Sequence, residues 1–293
     1  MMASVYAIGM AVMDFVFDVD VFPDVAQKYR ASDARVIGGG CASNAAYAVA
    51  RLGGDARLGA RIGDDLLGDL IVADLESTGV DMTGCDRSGG GRSSYSSVLV
   101  DRSGERQIVN FRGANLTEDT NWIGGSADAV LVDNRWAGGA KAGLALAAAL
   151  GVPGIVDAES PVDADVIALA SHIAFSRNGL ADFAGTEDIS AGLSAAHQTF
   201  CGRVIVTDGG NGAYLWHDGS ARHIPGFAVD VRDTLAAGDI WHGAFALGLA
   251  EGTDVANAML FANATAALKC REFGGRAGCP DRSTVEAFIK ETT

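Results

Sequence analysis

The sequence predicts an α/β fold: a doubly wound, mostly parallel sheet with helices on both faces and a small β-sheet lid. Three observations predict it. Strand-like and helix-like segments alternate along most of the 293 residues, the pattern of parallel strands joined by crossover helices. That length is at the upper range for one hydrophobic core, so a single domain over 1–293 is expected rather than two equal ones. Two stretches break the alternation with short strand-like runs that look antiparallel, and they read as a lid formed by about 14–37 and 91–114.

The elements follow in order. Val5 to Gly9 is the first strand, and Phe15 to Val21 and Ala34 to Ile37 are short lid runs. Ala42 to Leu52 is a helix ended by Gly53 and Gly54. A strand over Arg57 to Ile62 leads to a helix from Asp65 to Thr78, which Gly79 stops. Ser93 to Val100 and Gln107 to Phe111 form a hairpin turning at 101–106, and Ser93, Ser94, Ser96 and Ser97 make one arm polar enough to be half exposed. The body resumes with strands at Val130 to Val132, Ile155 to Asp157, His172 to Phe175 and Val204 to Thr207, and a helix at Ala140 to Leu150. The last third is helical, over Gly238 to Ala250, Val255 to Lys269 and Ser283 to Ile289.

Composition narrows the partners. With 37 Asp and Glu against 22 Lys and Arg, the net charge of -15 offers no general attraction to phosphate backbones or anionic lipid, which argues against nucleic acid and membranes. The longest apolar stretch, from Ala142 into Ile155, contains Pro153 and is too short and broken to span a bilayer. The opening MMASVYAIGMAVMDF lacks a basic region and is interrupted by Asp14, so it reads as a strand rather than a signal peptide. Five scattered cysteines without a CxxC pair fit reduced thiols in a cytoplasm and argue against a zinc site.

Three strings carry chemistry. DTLAAGD, Asp233 to Asp239, runs into an apolar helix; small residues at Ala236, Ala237 and Gly238 let an anion approach the unpaired first amides. Asp239 then lies beside that hole, where a carboxylate can take a proton from an alcohol attacking a γ-phosphate. Gly38, Gly39 and Gly40 lead into the helix bearing Asn44, so backbone donors are expected to face whatever lies above the sheet. These glycines follow lid strands, and Ser43 fills the last glycine position of a dinucleotide GxGxxG, which argues against that reading. TDGGNG, Thr207 to Gly212, is a turn at which backbone can approach a ligand or close a hairpin. No GxxxxGK[ST] occurs, so phosphoryl transfer needs a hole other than a P-loop.

Together these strings resemble the ribokinase-like (PfkB) carbohydrate kinases across nearly the whole chain, including the closing GGRAGCP, Gly274 to Pro280. The resemblance implies a ribokinase-like fold and an ATP- and Mg2+-dependent sugar kinase, with a β lid that often forms a homodimer contact. It implies Asp239 as catalytic base and the backbone of Ala236, Ala237, Gly238 and Asp239 as anion hole. It further implies sugar contacts at Asp14, Gly39, Gly40 and Asn44, and nucleotide contacts at Thr207, Gly209, Gly212 and Asn263. Around loops such as Gly274 to Pro280 the family often shows a monovalent-cation dependence.

Within the family the pattern is similar to bacterial sulfofructose kinases, through KYRA, VNF, DNRW and the tail ALKCREFGGRAG. That similarity implies an anion clamp of Lys28, Asn110 and Arg135 on the sulfonate of 6-deoxy-6-sulfofructose; a 6-phosphate suits the same clamp. A neutral ketose, a keto-sugar acid, a nucleoside, or a catalytically idle sugar-binding role stand as alternatives. One departure bears on the metal: the NxxE run of many members reads Ser176, Arg177, Asn178, Gly179 here, without its Glu, so the metal ligands are unknown at this point. His242 and Cys41 read as packing residues.

Overall fold

The structure, a computed structural model, describes residues 2–102 and 105–292. Strand β1 (Ser4–Gly9) is followed by β2 (Val12–Asp18) and β3 (Asp33–Gly39), then α1 (Cys41–Arg51), β4 (Asp55–Gly63), α2 (Leu66–Glu76) and β5 (Asp86–Ser88). Next come β6 (Ser94–Val100), β7 (Arg106–Phe111), β8 (Ala129–Asp133), α3 (Ala137–Leu150), β9 (Gly154–Ala158), α4 (Ala164–Ile167), β10 (His172–Ser176), α5 (Arg177–Ala184) and α6 (Ile189–Thr199). The chain ends with β11 (Arg203–Thr207), β12 (Gly212–His217), β13 (Ser220–Pro225), α7 (Ala237–Ala250), α8 (Val255–Cys270) and α9 (Arg282–Thr292).

The main sheet runs β13-β12-β11-β10-β9-β8-β1-β4-β5. Its strands are parallel from β11 to β5, and β12 and β13 add an antiparallel edge. The order reverses between β1 and β8, which opens a crevice at the carboxyl ends of those strands. Strand periodicity divides the core: Val5, Ala7, Ile155, Ala174 and Ile205 face one cluster with α1, α7 and α8, while Tyr6, Ile8, Val156, Phe175 and Val206 face another with α3, α5 and α6. Strands buried on both faces read as the continuous apolar runs seen in the sequence.

Helix α7 is buried all round from Ile240 to Leu249. It crosses α1 so closely that a Cβ at Gly243 would fall on the Ala45 carbonyl, a contact only glycine permits. Gly243 is one turn below Asp239, and Ala45 follows Asn44, so this crossing brings those two polar side chains together. No helix among the described residues is long and apolar enough to cross a membrane.

The second sheet runs β3-β2-β6-β7 and is the expected lid, with two differences. The sheet is not antiparallel throughout, because β2 and β6 pair parallel. The serines do not make a half-exposed arm either: Ser93, Ser94 and Ser96 are buried and hydrogen-bonded. Ser93 Oγ donates to Asp65, which also caps α2, and Ser94 Oγ donates to the Phe111 carbonyl at 2.9 Å. Burial of these hydroxyls costs little once each has a partner. The hairpin turn at 101–106 includes residues 103 and 104, which lie outside the described residues.

Candidate active site

The N-terminus of α7 is uncapped and open. Ala236 holds the N-cap in left-handed backbone at φ 64°, with no side-chain cap, and the Ala237 amide bonds back to Thr234. Gly238 and Asp239 precede the helix's first regular donors, and their amides have no hydrogen-bond partner among the described residues. A Cβ at Gly238 would meet nothing, so this turn faces open space. Backbone donors and the positive end of the helix dipole therefore point into one gap.

Asp239 stands at its rim, half-buried, and accepts a 2.7 Å hydrogen bond from Asn44 Nδ2. Burial raises its carboxyl above the ordinary value, and the Asn44 donor opposes that rise. Cys41, Asp157 and Asp239 offer ligand atoms within 4.8 Å of one another. Burial, followed by Glu159 and Asp239, pushes the Asp157 carboxyl well up, and its buried Oδ1 has no hydrogen-bond partner. His242 packs as expected: its Nδ1 is 2.8 Å from the Gly238 carbonyl, its Nε2 lies 3.6 Å from Asp157, and burial lowers its pKa. Cys41, half-buried, is pushed well up by burial and is no thiolate nucleophile.

The triple glycine works differently from the expectation. Part of the α1 terminus is filled by Asp133 at the end of β8: Oδ2 accepts the Ala42 amide at 3.2 Å and the Met10 amide at 2.7 Å, while the Cys41 amide has no partner among the described residues. The Ser43 amide is spent on the Met10 carbonyl. Clearance is what the glycines supply, since a Cβ at Gly38 would fall on the Arg276 guanidinium, at Gly39 on the Asp14 carboxylate, and at Gly40 on the Met10 carbonyl. Burial raises Asp14, and Ser96 pulls it back. Asp14 is aligned with Ser96, and Ser96 with Asn110, across the lid, so these three polar side chains share one face.

The proposed anion clamp is only partly assembled. Asn110 Nδ2 donates to Ser96 Oγ at 3.0 Å within the lid. Lys28 is exposed on the β2–β3 loop and forms no ion pair among the described residues. Arg135 is not a free fork: its guanidinium pairs with Glu159 and donates to the Ser160 carbonyl at 3.2 Å.

A cavity of about 330 Å³ adjoins the α7 terminus, bounded by Thr207, Gly209, Gly212, Asn263, Ala237 and Gly238 and walled by Phe227, Val229, Val231 and Ala266. Apolar walls with a row of amides at one end suit an aromatic base and its phosphates. Asn263 shapes this wall with its amide already occupied: Oδ1 accepts from Trp241 at 2.7 Å, and Nδ2 donates to the Ile224 and Pro225 carbonyls.

For a metal, the NxxE position is closed. A Cβ at Gly179 would fall on the Ala158 carbonyl, so no glutamate fits there, and the carboxylate with a free oxygen facing the site is Asp157, whose Oδ1 is orphaned among the described residues. The Gly274 to Pro280 loop already has a cation beneath it. Lys269, fully buried, donates to the Asp233 carbonyl at 2.7 Å and lies 3.3 Å from its carboxylate, which accepts the Gly274 and Gly275 amides. Sequence reasoning missed Asp133, Asp157, Lys269 and Arg276 as parts of this centre. For the two aspartates a signal existed: each ends an apolar strand run, where doubly wound sheets place ligands.

Known proteins resemble the chain along nearly its whole length. The family described as pfkB family carbohydrate kinase matches residues 2–282. The chain is 30% identical over 310 residues to the ATP-dependent ribose-1-phosphate kinase of Halopiger xanaduensis, covering 99% of both chains. It is 25% identical over 307 residues to the ribokinase of Haemophilus influenzae, again over 99% of both. Among solved structures, a candidate ribokinase from Agrobacterium tumefaciens superposes with a TM-score of 0.93 at 36% identity, over 99% of this chain and 98% of that one.

Proposed function

The chain belongs to the pfkB family of carbohydrate kinases, which transfer phosphate from ATP to a sugar hydroxyl, and from that premise we propose an ATP-dependent ketose kinase acting on the C1 hydroxyl of an anionic ketohexose such as 6-deoxy-6-sulfofructose. The observation that carries the mechanism is Asp239 beside the open amides of α7, with Asn44 holding its carboxylate.

The steps balance as one in-line displacement. The sugar is held under the lid by Asp14, Gly39, Gly40 and Asn44, and ATP fills the cavity over Thr207, Gly209, Gly212 and Asn263 with its γ-phosphate toward Ala236 to Asp239. Asp239 accepts the hydroxyl proton as the sugar oxygen bonds to the γ-phosphorus, the bond to the β-phosphate oxygen breaks, and ADP leaves. The amides at Ala237, Gly238 and Asp239 stabilise charge on the transferring group without reorganising. Mg2+, when bound with ATP, would neutralise phosphate charge, and Asp157 is the carboxylate that would hold it.

Lys28 and Asn110 support an anionic substrate. A second reading, a neutral sugar such as a pentose, is favoured by the Arg135–Glu159 pair, which leaves Arg135 no net charge to offer, and by the ribokinases among the relatives. An ADP-release assay over fructose, fructose 6-phosphate, tagatose 6-phosphate, 6-deoxy-6-sulfofructose, deoxy-keto-gluconate, ribose and adenosine tests this, repeated with Arg135→Ala and Lys28→Ala. The anionic reading requires both variants to lose far more rate on the anionic substrate than on neutral sugars; equal losses would overturn it. The homodimer belongs to the proposal too, through the exposed lid residues Val36 and Val109, and sedimentation of a Val109→Asp variant tests it.

A further inference from the structure

Arg276 is a buried cation with no part in the reaction as described. It lies in the turn Gly275–Gly278, 3% exposed, between β3, α1 and α2. Its Nη2 pairs with Asp74 on α2, and its Nη1 is 3.2 Å from Ser43 Oγ and 3.4 Å from Asn44 Oδ1. The Tyr47 ring lies 5.2 Å from the guanidinium, and Gly38 leaves the space it occupies. Asn44 thus touches two groups of opposite demand, with Oδ1 toward a cation and Nδ2 donating to Asp239.

An asparagine amide is nearly symmetric in shape, and rotation by half a turn would set its oxygen against the carboxylate. A donor fixed on Oδ1 forbids that rotation. The planar fork of arginine serves Asp74, Ser43 and Asn44 together, which a lysine point charge cannot do. We propose that Arg276 is a positioning residue for the catalytic base: it fixes the Asn44 amide, and Asn44 in turn holds the Asp239 carboxylate toward the sugar hydroxyl. The proposal rests on the reading of Asp239 as general base.

A double-mutant cycle tests it, with kcat, the KM for sugar and ATP, and the thermal midpoint measured for Arg276→Lys, Asn44→Ala and the pair. Arg276→Lys keeps the charge and is expected to lower kcat roughly tenfold, because small misplacements of a reacting group cost that much, with KM for ATP within about twofold. In the Asn44→Ala background the same change should alter kcat by less than about twofold, since its route is gone. Arg276→Gln gives a second route through the cycle if the lysine variant does not fold. Wild-type kcat in Arg276→Lys, or the same fold loss in both backgrounds, overturns the proposal. Asp239→Asn separates the failures: if turnover survives it, base and positioning roles fall together; if turnover is lost while the Arg276 effects remain additive, only the positioning role falls.

Discussion

Helices α1 and α7 flank the proposed reaction centre, and both start without a side-chain cap after left-handed backbone, at Gly40 with φ 96° and at Ala236 with φ 64°. Their termini differ in what fills them. The Ala42 and Ser43 amides of α1 are consumed by Asp133 and the Met10 carbonyl, whereas those of Gly238 and Asp239 open onto the cavity. The triple glycine is expected from sequence to leave backbone donors facing a ligand, yet an acid from the end of β8 reaches its helix. A helix N-terminus is a binding site only when nothing in the fold has already answered its charge.

The comparison can be broken by making α7 resemble α1. Gly238→Asp points a carboxylate into open space, so the fold should keep its thermal midpoint. Two unit charges about 4 Å apart near a surface interact by about 4 kcal/mol, so KM for ATP should rise by roughly two orders of magnitude or more. An unchanged KM would remove the phosphate from the α7 terminus. Gly39→Ala sharpens the α1 side: its Cβ displaces Asp14, so KM for sugar should rise by about tenfold, in line with loss of a charged hydrogen bond, while KM for ATP holds.

The buried acids give a pH signature with opposite signs for rate and stability. The Asp239 carboxyl is raised by burial, so kcat/KM should fall on acidification from a pH above the ordinary carboxylate range, and Asn44→Ala should move that limb higher by removing the opposing donor. Asp133 is raised by burial to about 6 from 3.8. Its contribution is therefore present below the unfolded value and lost as pH rises through about 6, a span worth about 3 kcal/mol. Thermal midpoints from pH 4 to 7 should fall less steeply in Asp133→Asn than in wild type. The smallest effect is expected for Ala236→Gly, where release of left-handed strain of about 1 kcal/mol is partly offset by the unfolded-state entropy of glycine. A loss of stability there would contradict the strained cap.

How much the sequence disclosed follows from distance along the chain. DTLAAGD is legible as a candidate centre because the proposed hole and base lie within seven residues, and the parallel strands are legible because burial on both faces leaves unbroken apolar runs. The Arg276 contact to Ser43 spans 233 positions and the Asp133 contact to Ala42 spans 91, so local pattern marks Asp133 only as an acid at a strand end and names the partner of neither. Helices α5 and α6 were missed: in α6, small polar residues such as Ser190 and Ser194 blur the periodicity, and the Asp188 cap does the marking. The lid serines are polar yet buried, because each buried hydroxyl has a partner, and polarity in a sequence does not by itself mark exposure.

The central claim is that the open α7 terminus and Asp239 form one phosphoryl-transfer centre. It is tested most directly by Asp239→Asn, with sugar binding followed by calorimetry and ADP release followed on the same sample. The account predicts sugar affinity within a few-fold of wild type and turnover lower by about 10²–10⁴, the range a positioned general base supplies. Turnover within a few-fold of wild type would contradict it.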